Sequence, residues 1–448
     1  MKKDSQITNQ ITEGAIWKPL LLFFFPIVLG TLFQQLYNTV DAVVVGRFVG
    51  KEALAAVGGS SGQILNLVIG FFVGLSSGAS VIISQFYGAR DTVNLNRTLH
   101  SALAFSIAGG ILVSISGILL APVLLKIMDT PEDLMADSEL YLRIYFSGIL
   151  FVFIYNIGSA ILRAVGDSRR PLYYLIVCCV LNVVLDIVLI VVCHMGVAGA
   201  AIATLASQAA SSALILRRLA VSREMYHLDF RKLRMDKVYV RRILQIGLPA
   251  GFQSAMYAVT NLIIQTALNG FGTDSVAAWA ALGKIDSLYW MISGAMGIAV
   301  TTFVGQNYGA RKYDRMKKSV SIGLGILLLF SVLIMAFFLH FAEPLFRLFT
   351  TDQPVIEIGI RMMWKMVPYY WAFTFVEIFA GALRGAGDVM IPTLITCLGV
   401  CVLRILWILI MLPLYPRLET IMLTYPLTWI VTASTFLIYY RKRRKQWT

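Results

Sequence analysis

A stripe of polar side chains crosses an apolar stretch near the start of the chain, residues 19–50. Gln34, Tyr37, Asn38 and Asp41 stand at positions i, i+3, i+4 and i+7, so a helix presents all four on one face. The stretch is long enough to cross a bilayer as a helix. A charged carboxylate at membrane depth costs roughly 2.5–3.5 kcal/mol, so Asp41 must face a cavity or a partner.

A second acid lies in another apolar stretch, where NVVLD places Asn182 and Asp186 one helical turn apart. Two buried carboxylates cannot both carry charge at low cost, so Asp41 and Asp186 together can hold a proton. With oxygens from Asn182 and Thr204, the pair can instead enclose Na⁺, since hard cations prefer oxygen ligands. The alternative is that the two acids only join helices, although Ser, Thr and Asn usually serve there.

These acids belong to a strongly apolar chain. Of its 448 residues 58% are hydrophobic and 14% are charged, and the mean hydropathy is +0.76. This composition excludes a soluble globular protein and indicates an all-α polytopic membrane protein. The polar start MKKDSQITNQITEG does not resemble a cleavable signal peptide. Twelve apolar runs predict twelve membrane helices, at 17–46, 53–86, 96–126, 136–164, 171–193, 196–217, 241–269, 276–307, 319–349, 355–383, 390–413 and 418–440.

The net charge of +14 is explained by membrane topology. Lys and Arg are concentrated in alternate loops, as in the segment 217–242 and the tail RKRRK, while the intervening loops hold few. This positive-inside pattern predicts that both termini are cytoplasmic. A nucleic-acid partner is therefore not needed to account for the charge, and the expected partners are the bilayer and small organic molecules.

The chain contains two copies of one unit. QFYGAR at 85–90 recurs as QNYGAR at 306–311, and LRAVGD at 162–167 recurs as LRGAGD at 383–388, each 221 residues later. These motifs stand at predicted helix ends, where their glycines permit tight turns and their Arg and Asp side chains can hold loops in place. Their expected role is structural.

The duplication predicts two lobes of six helices each. An even number of spans gives both lobes the same orientation, and parallel repeats of this kind enclose a cavity near the midplane and allow alternating access. The predicted organisation is an N-terminal lobe over 1–216, a basic cytoplasmic linker over 217–242 and a C-terminal lobe over 243–448.

The two copies differ in their buried acids. At the positions 221 residues after Asn182 and Asp186 the second copy has apolar residues, and no acid corresponds to Asp41. The C-terminal lobe instead has Glu377, which aligns with Asn156. Glu377 either takes up protons, contacts a cationic substrate or pairs with a nearby arginine.

Substrate contacts are expected from both lobes. Flexible methionines and flat aromatic rings suit varied apolar cargo, although the same residue types also fit core or lipid-facing positions. Lys284 and Asp286 can neutralise each other. Arg404 can form an ion pair with Glu377 or extend to the membrane interface. The residues predicted to bind substrate are Gln34, Asn38, Met256, Tyr257, Trp290, Met291 and Glu377.

Motifs for enzymatic chemistry are absent from the sequence. It contains no GxxxxGK[ST], HExxH or GxSxG, and its five cysteines lie in apolar spans without metal-ligand spacing. We therefore predict that the protein is neither an enzyme nor an ATP-driven pump and needs no cofactor beyond a coupling ion.

The first helix ending NTVDAVVVGRFVG, the duplicated QxYGAR and the duplicated LRxxGD together resemble the multidrug and toxic compound extrusion (MATE) family over nearly the whole chain. The resemblance implies twelve helices in two lobes and export of drugs in exchange for Na⁺ or H⁺. The chain is more similar to the DinF-like and archaeal branch than to the NorM-like branch, which has an acid in helix 7. That branch implies a cation site at Asp41, Asn182, Asp186 and Thr204, supported by Tyr37 and Asn156, with Pro26 as the bending proline of helix 1.

The predicted function is therefore secondary antiport of organic, often cationic compounds across the plasma membrane by a monomer, conferring drug resistance. Neutralisation of Asp41 and Asp186 would let the first helix bend at Pro26, where a backbone donor is missing, and so displace the drug. The alternative within the same wider superfamily is a flippase for lipid-linked oligosaccharides, which would favour a strongly cationic cavity to hold a pyrophosphate.

Overall fold

The computed structural model describes residues 11–447, and every regular element in that range is helical. The first half contains eight α-helices: α1 (Trp17–Phe48), α2 (Lys51–Gly58), α3 (Ser60–Gly88), α4 (Thr92–Ile127), α5 (Glu132–Ser147), α6 (Ile149–Ala164), α7 (Arg169–Asp186) and α8 (Gly196–Val221). A π-helical segment, Ile187–Val192, continues α7 directly after its last residue. A short 3₁₀ turn, Phe230–Lys232, lies in the loop that follows α8.

The second half repeats this pattern of long helices. Its elements are α9 (Lys237–Asn269), α10 (Thr273–Gly309), α11 (Tyr313–His340), α12 (Ala342–Arg347), α13 (Gln353–Met366), α14 (Tyr370–Gly385), α15 (Met390–Thr396), α16 (Leu403–Leu414) and α17 (Leu418–Arg444). A 3₁₀ turn, Val367–Tyr369, joins α13 to α14, and a π-helical segment, Cys397–Val402, joins α15 to α16.

The predicted membrane fold is confirmed. Within residues 11–447, ten helical stretches are long and apolar enough to cross a membrane, and the pair α5 and α6, bent by 49°, makes up to eleven. The remaining predicted span, 241–269, corresponds to α9, a helix of 33 residues whose apolar sequence is interrupted by Gln253, Asn261 and Gln265. The protein is therefore a multi-pass helical membrane protein.

The contacts divide the chain into two compact units. The N-terminal unit is Phe25–Gly251, and the C-terminal unit runs from Phe252 to the end of the described chain and includes the segment up to Phe24. These divisions fall inside α1 and α9, next to Pro26 and Pro249. Both prolines lie within uninterrupted helices.

The first part of α9 belongs to the N-terminal unit because it packs closely on α3. A side chain at Gly78 would overlap the carbonyl oxygen of Ile243, and one at Gly74 would meet the backbone of Gly251. Small residues let two helix backbones approach in this way, which is a common means of helix association in membranes.

The basic loop before α9 is held against α4 by backbone hydrogen bonds. Asn96 donates to the carbonyl oxygen of Met225 (2.9 Å) and accepts from the N–H of His227 (2.8 Å). The backbone N–H of Asp229 donates to Nε2 of His100 (3.0 Å). The loop therefore packs on α4 within the N-terminal unit.

The duplicated motifs form matching turns. Arg90 and Arg311, at the ends of the two YGAR motifs, both adopt a left-handed backbone with φ of 57° and 56°. Gly166 and Gly387, in the two LRxxGD motifs, have φ of 96° and 89°, a region that favours glycine. The aspartate that follows Gly387 accepts from Arg443 (2.8 Å), as expected for a residue that secures a helix end.

Candidate functional site

Three helices of the N-terminal unit bring four polar side chains together. Asp41 lies about two turns before the end of α1, Asn182 and Asp186 lie in the last turns of α7, and Thr204 lies in α8. All four are buried, and Asn182 and Asp186 have no exposed surface. The carboxyl groups of Asp41 and Asp186 lie within hydrogen-bonding reach of each other. The amide of Asn182 donates to the hydroxyl of Thr204 at 3.5 Å, a long contact.

Four buried oxygens of this group have no donors. Oδ1 of Asp41, both carboxylate oxygens of Asp186 and Oδ1 of Asn182 are buried without a hydrogen-bond partner among the described residues. Buried acceptors without partners are costly, and two ionised carboxylates in contact also repel each other. A proton shared by the acids would supply a donor, and a small cation would supply positive charge.

The donor set therefore fits a proton or Na⁺. Carboxylate, amide and hydroxyl oxygens are the ligands that hard cations prefer. Within residues 11–447 no group of three or more His, Cys, Asp or Glu side chains could hold a metal ion.

The backbone changes its hydrogen-bond pattern beside Asp186. The π-helical segment Ile187–Val192 begins at the next residue. A π-helical turn adds a residue to the turn and often occurs at functional sites. The sequence carries no proline or glycine that would have revealed this segment.

Two tyrosines also lie near the acids and were not anticipated from the sequence. Tyr141 and Tyr145 on α5 are buried, their rings lie 6.0 Å apart, and both interact electrostatically with Asp41. Their spacing of four residues places them on one helical face. This pattern was visible in the sequence, but the acidic residues elsewhere in α5 drew attention away from it. Gln208, one turn after Thr204 on α8, is also buried with an unpaired Oε1.

The other predicted residues of this unit lie at different distances from the acids. Tyr37 is half-buried and lies near Asp41 and the two tyrosines. Asn156 is half-buried on α6 and donates to the carbonyl oxygen of Val152 (2.8 Å). Gln34 and Asn38 are exposed on α1.

The C-terminal unit contains a cavity of about 540 Å³. Tyr257, Trp290 and Glu377, three of the predicted substrate residues, line it, whereas Met256 and Met291 do not. Polar side chains from α9 (Gln253, Asn261 and Gln265) and aromatic rings from α10 and α17 (Trp279, Tyr425 and Trp429) complete much of its wall.

Buried charges of both signs reach this cavity. Asp286 accepts from the indole N–H of Trp290 (3.2 Å) through one oxygen, and its other oxygen is unpaired. The guanidinium of Arg404 lies 4.0 Å from the ring centre of Tyr425 and donates to Thr428 (3.3 Å). Lys284, two residues before Asp286 in the sequence, lies on an exposed face of α10.

The fold and the two sites define a class of protein: a multi-pass membrane protein with duplicated halves and polar groups buried among its helices. The family model MatE matches residues 26–188 and again residues 249–410, one match in each half. The chain therefore belongs to the MATE family, whose members are transporters and not enzymes.

Its relatives extend over most of the chain. The probable multidrug resistance protein YpnP of Bacillus subtilis is 30% identical, over 88% of this chain and 88% of its own. The probable multidrug resistance protein YoeA of the same organism is 29% identical, over 88% and 86%. A transporter of the MOP superfamily from Pyrococcus furiosus has the same fold, with a TM-score of 0.90, 24% identity and 98% coverage of both chains.

Proposed function

We propose that the protein is a secondary antiporter of the cell membrane that exports lipophilic, often cationic organic compounds in exchange for H⁺ or Na⁺. The observation that carries the proposal is the contact between Asp41 and Asp186, whose buried oxygens lack donors. A permanently charged pair in this position would be costly, so the site is suited to binding a cation and releasing it. The names of the relatives, multidrug resistance proteins, support an organic cargo.

The coupling follows from the charge of the site. Uptake of a cation removes the repulsion between Asp41 and Asp186 and lets α1 move towards α7. Pro26, fifteen residues before Asp41 in α1, supplies the point at which the helix can bend. The bend reduces the space in the N-terminal unit and displaces the cargo, and the two units then change access. One proton moving down a pH gradient of one unit supplies about 1.4 kcal/mol, roughly a tenfold accumulation.

Several further features belong to the same proposal. The positive-inside pattern supports cytoplasmic termini. The coupling acids and the cavity both belong to one chain, which supports a monomer. The acids of the N-terminal unit favour a drug antiporter over a lipid-linked oligosaccharide flippase, because a pyrophosphate would be repelled there. They also support the DinF-like and archaeal branch.

The test is transport by everted membrane vesicles driven separately by an imposed pH gradient and an imposed Na⁺ gradient. We expect one of these gradients to drive uptake of a fluorescent organic cation, and Asp41→Asn to abolish that uptake while the protein is inserted in normal amounts. Asp133→Asn, which removes an exposed acid from α5, is the matched control and should transport normally. Gradient-driven uptake by Asp41→Asn at the wild-type rate would refute the antiport proposal.

A further inference from the structure

The aromatic and charged side chains that line the cavity of the C-terminal unit are not explained by ion coupling. One wall is a continuous series of aromatic rings: Trp290 lies 5.9 Å from Trp429, and Trp429 lies 5.6 Å from Tyr425 between ring centres. Phe373 meets Trp290 edge-on at 4.8 Å. Such a surface favours contact with a flat aromatic ligand.

The two ends of this wall carry opposite charges. At one end the indole N–H of Trp290 donates to Asp286, and at the other the guanidinium of Arg404 lies over the ring of Tyr425. Both residues are more than nine-tenths buried, with 6% and 3% of their surface exposed. No ion pair within 4.0 Å joins either of them to another described residue, so the rings keep the acid and the guanidinium apart.

Both charged groups retain unused hydrogen-bonding capacity. Oδ1 of Asp286 has no donor, and Nε of Arg404 has no acceptor among the described residues. A buried charge without a partner is strongly unfavourable, so these groups are suited to a ligand that compensates both. The volume of about 540 Å³ falls within the range of cavities that hold drug-sized molecules.

A third charged side chain lines the same cavity. Glu377 on α14 lines the same space and packs over α10 at Gly297, where any Cβ would overlap its Oε1. Glycine at this position therefore leaves room for the carboxyl group. With Asp286, Glu377 gives the cavity two acids and one guanidinium.

We propose that this cavity is a binding site for flat aromatic zwitterions, with the ligand's amine at Asp286, its ring on the aromatic wall and its acid group on Arg404. A purely cationic ligand would place a second positive charge near Arg404 and leave the guanidinium without a counter-charge. A purely anionic ligand would meet two carboxylates. A zwitterion compensates both ends, and an arginine can hold a carboxylate through two parallel hydrogen bonds. The inference rests on the proposed export function only in treating such ligands as cargo.

The test compares dyes that share one ring system and differ in charge. The free acid of a rhodamine is a zwitterion at neutral pH, its methyl ester is a cation, and fluorescein is an anion. Binding to the purified protein in lipid nanodiscs is followed by dye fluorescence anisotropy without any ion gradient. We expect the free acid to bind at least about tenfold more tightly than the ester, because a buried charge-assisted contact contributes roughly 1.5–3 kcal/mol, and fluorescein to bind weakest.

Substitutions then identify the residues that cause the preference for the free acid. Arg404→Gln should remove the preference for the free acid, whereas Arg404→Lys, which keeps the charge, should retain part of it. Asp286→Asn should weaken the free acid and the ester alike. Arg361→Gln removes an exposed charge from α13 outside the cavity and should change nothing. Equal affinities of wild type for the two forms, a preference for the ester, or a preference that persists in Arg404→Gln would overturn the proposal.

The outcome is separable from that of the antiport proposal. Asp41→Asn should keep the preference for the free acid, since Asp41 belongs to the other unit, while losing gradient-driven transport. If the dye preference is absent but Asp41→Asn still abolishes transport, the zwitterion site alone is wrong. If the preference is present and Asp41→Asn transports normally, the antiport mechanism alone is wrong.

Discussion

In the N-terminal unit two acids face each other without any compensating cation, whereas in the C-terminal unit Asp286 and Glu377 share a cavity with Arg404. The units nevertheless begin from the same turns, since Arg90 and Arg311 adopt the same left-handed backbone. The difference lies in how each interior is neutralised. Two neighbouring negative charges are compensated by a mobile cation, whereas separated opposite charges are compensated by a ligand that carries a positive and a negative group.

The same comparison extends to the backbone beside each buried charge. One π-helical segment begins directly after Asp186, and the other ends two residues before Arg404. The two segments do not occupy equivalent positions of the repeat. Each π-helical segment therefore lies next to a charged group of its own unit.

The largest loss of exchange is expected when an acid of the N-terminal unit is replaced. Replacement of the residue at the equivalent position of the C-terminal unit should have little effect. Asp186→Asn should lower gradient-driven exchange about 30-fold, because the cation site loses one carboxylate and a charge-assisted contact contributes roughly 1.5–3 kcal/mol. The residue at the equivalent place, 221 positions later, is Trp407, which donates to the carbonyl oxygen of Thr420 (2.9 Å). Trp407→Phe should retain exchange, measured as initial rates in proteoliposomes. Comparable losses in both variants would mean that the difference between the units is not the basis of coupling.

A smaller effect is expected at the two helix prolines. Pro26→Ala restores a backbone donor to α1 and should slow exchange roughly tenfold, equivalent to about 1.4 kcal/mol in the barrier. Pro249→Ala changes α9, which carries no acid, and should exchange at close to the wild-type rate. The measurement is the turnover of each variant at saturating substrate, with the amount of inserted protein as the control. If Pro249→Ala slows exchange as strongly as Pro26→Ala, the effect of removing a helix proline is not specific to α1, the helix that carries Asp41.

The smallest effect concerns stability and not transport. Gly78→Ala should lower the free energy of unfolding by about 1–3 kcal/mol, because its Cβ would overlap the backbone oxygen of Ile243. Position 299, at +221, already holds a buried Ala, so Ala299→Gly should cost only about 1 kcal/mol through chain entropy. Thermal unfolding of detergent-solubilised protein checks both. A Gly78→Ala protein as stable as wild type would show that α3 and α9 are not held at backbone contact.

Much of the architecture could be predicted from the chain. Apolar runs located the helical spans because a helix in lipid must satisfy its own backbone, and the recurring motifs revealed the duplication. The acids of α1 and α7 were recognisable as a candidate site because each interrupts an apolar run. The bend between α5 and α6 and the placement of Tyr141 and Tyr145 beside Asp41 were not recognisable, since neither depends on local sequence.

The amino-acid sequence by itself determined that this is a duplicated helical membrane protein whose first half carries Asp41 and Asp186 within apolar runs, because hydropathy, charge distribution and repeats are properties of the linear chain. Only the tertiary structure decided that Asp41 and Asp186 meet, that the loop before α9 packs on α4, and that Asp286 and Arg404 face one cavity across an aromatic wall. The physical reason is that these groups come from helices far apart in sequence, and the side chain packing that sets their separation is not local.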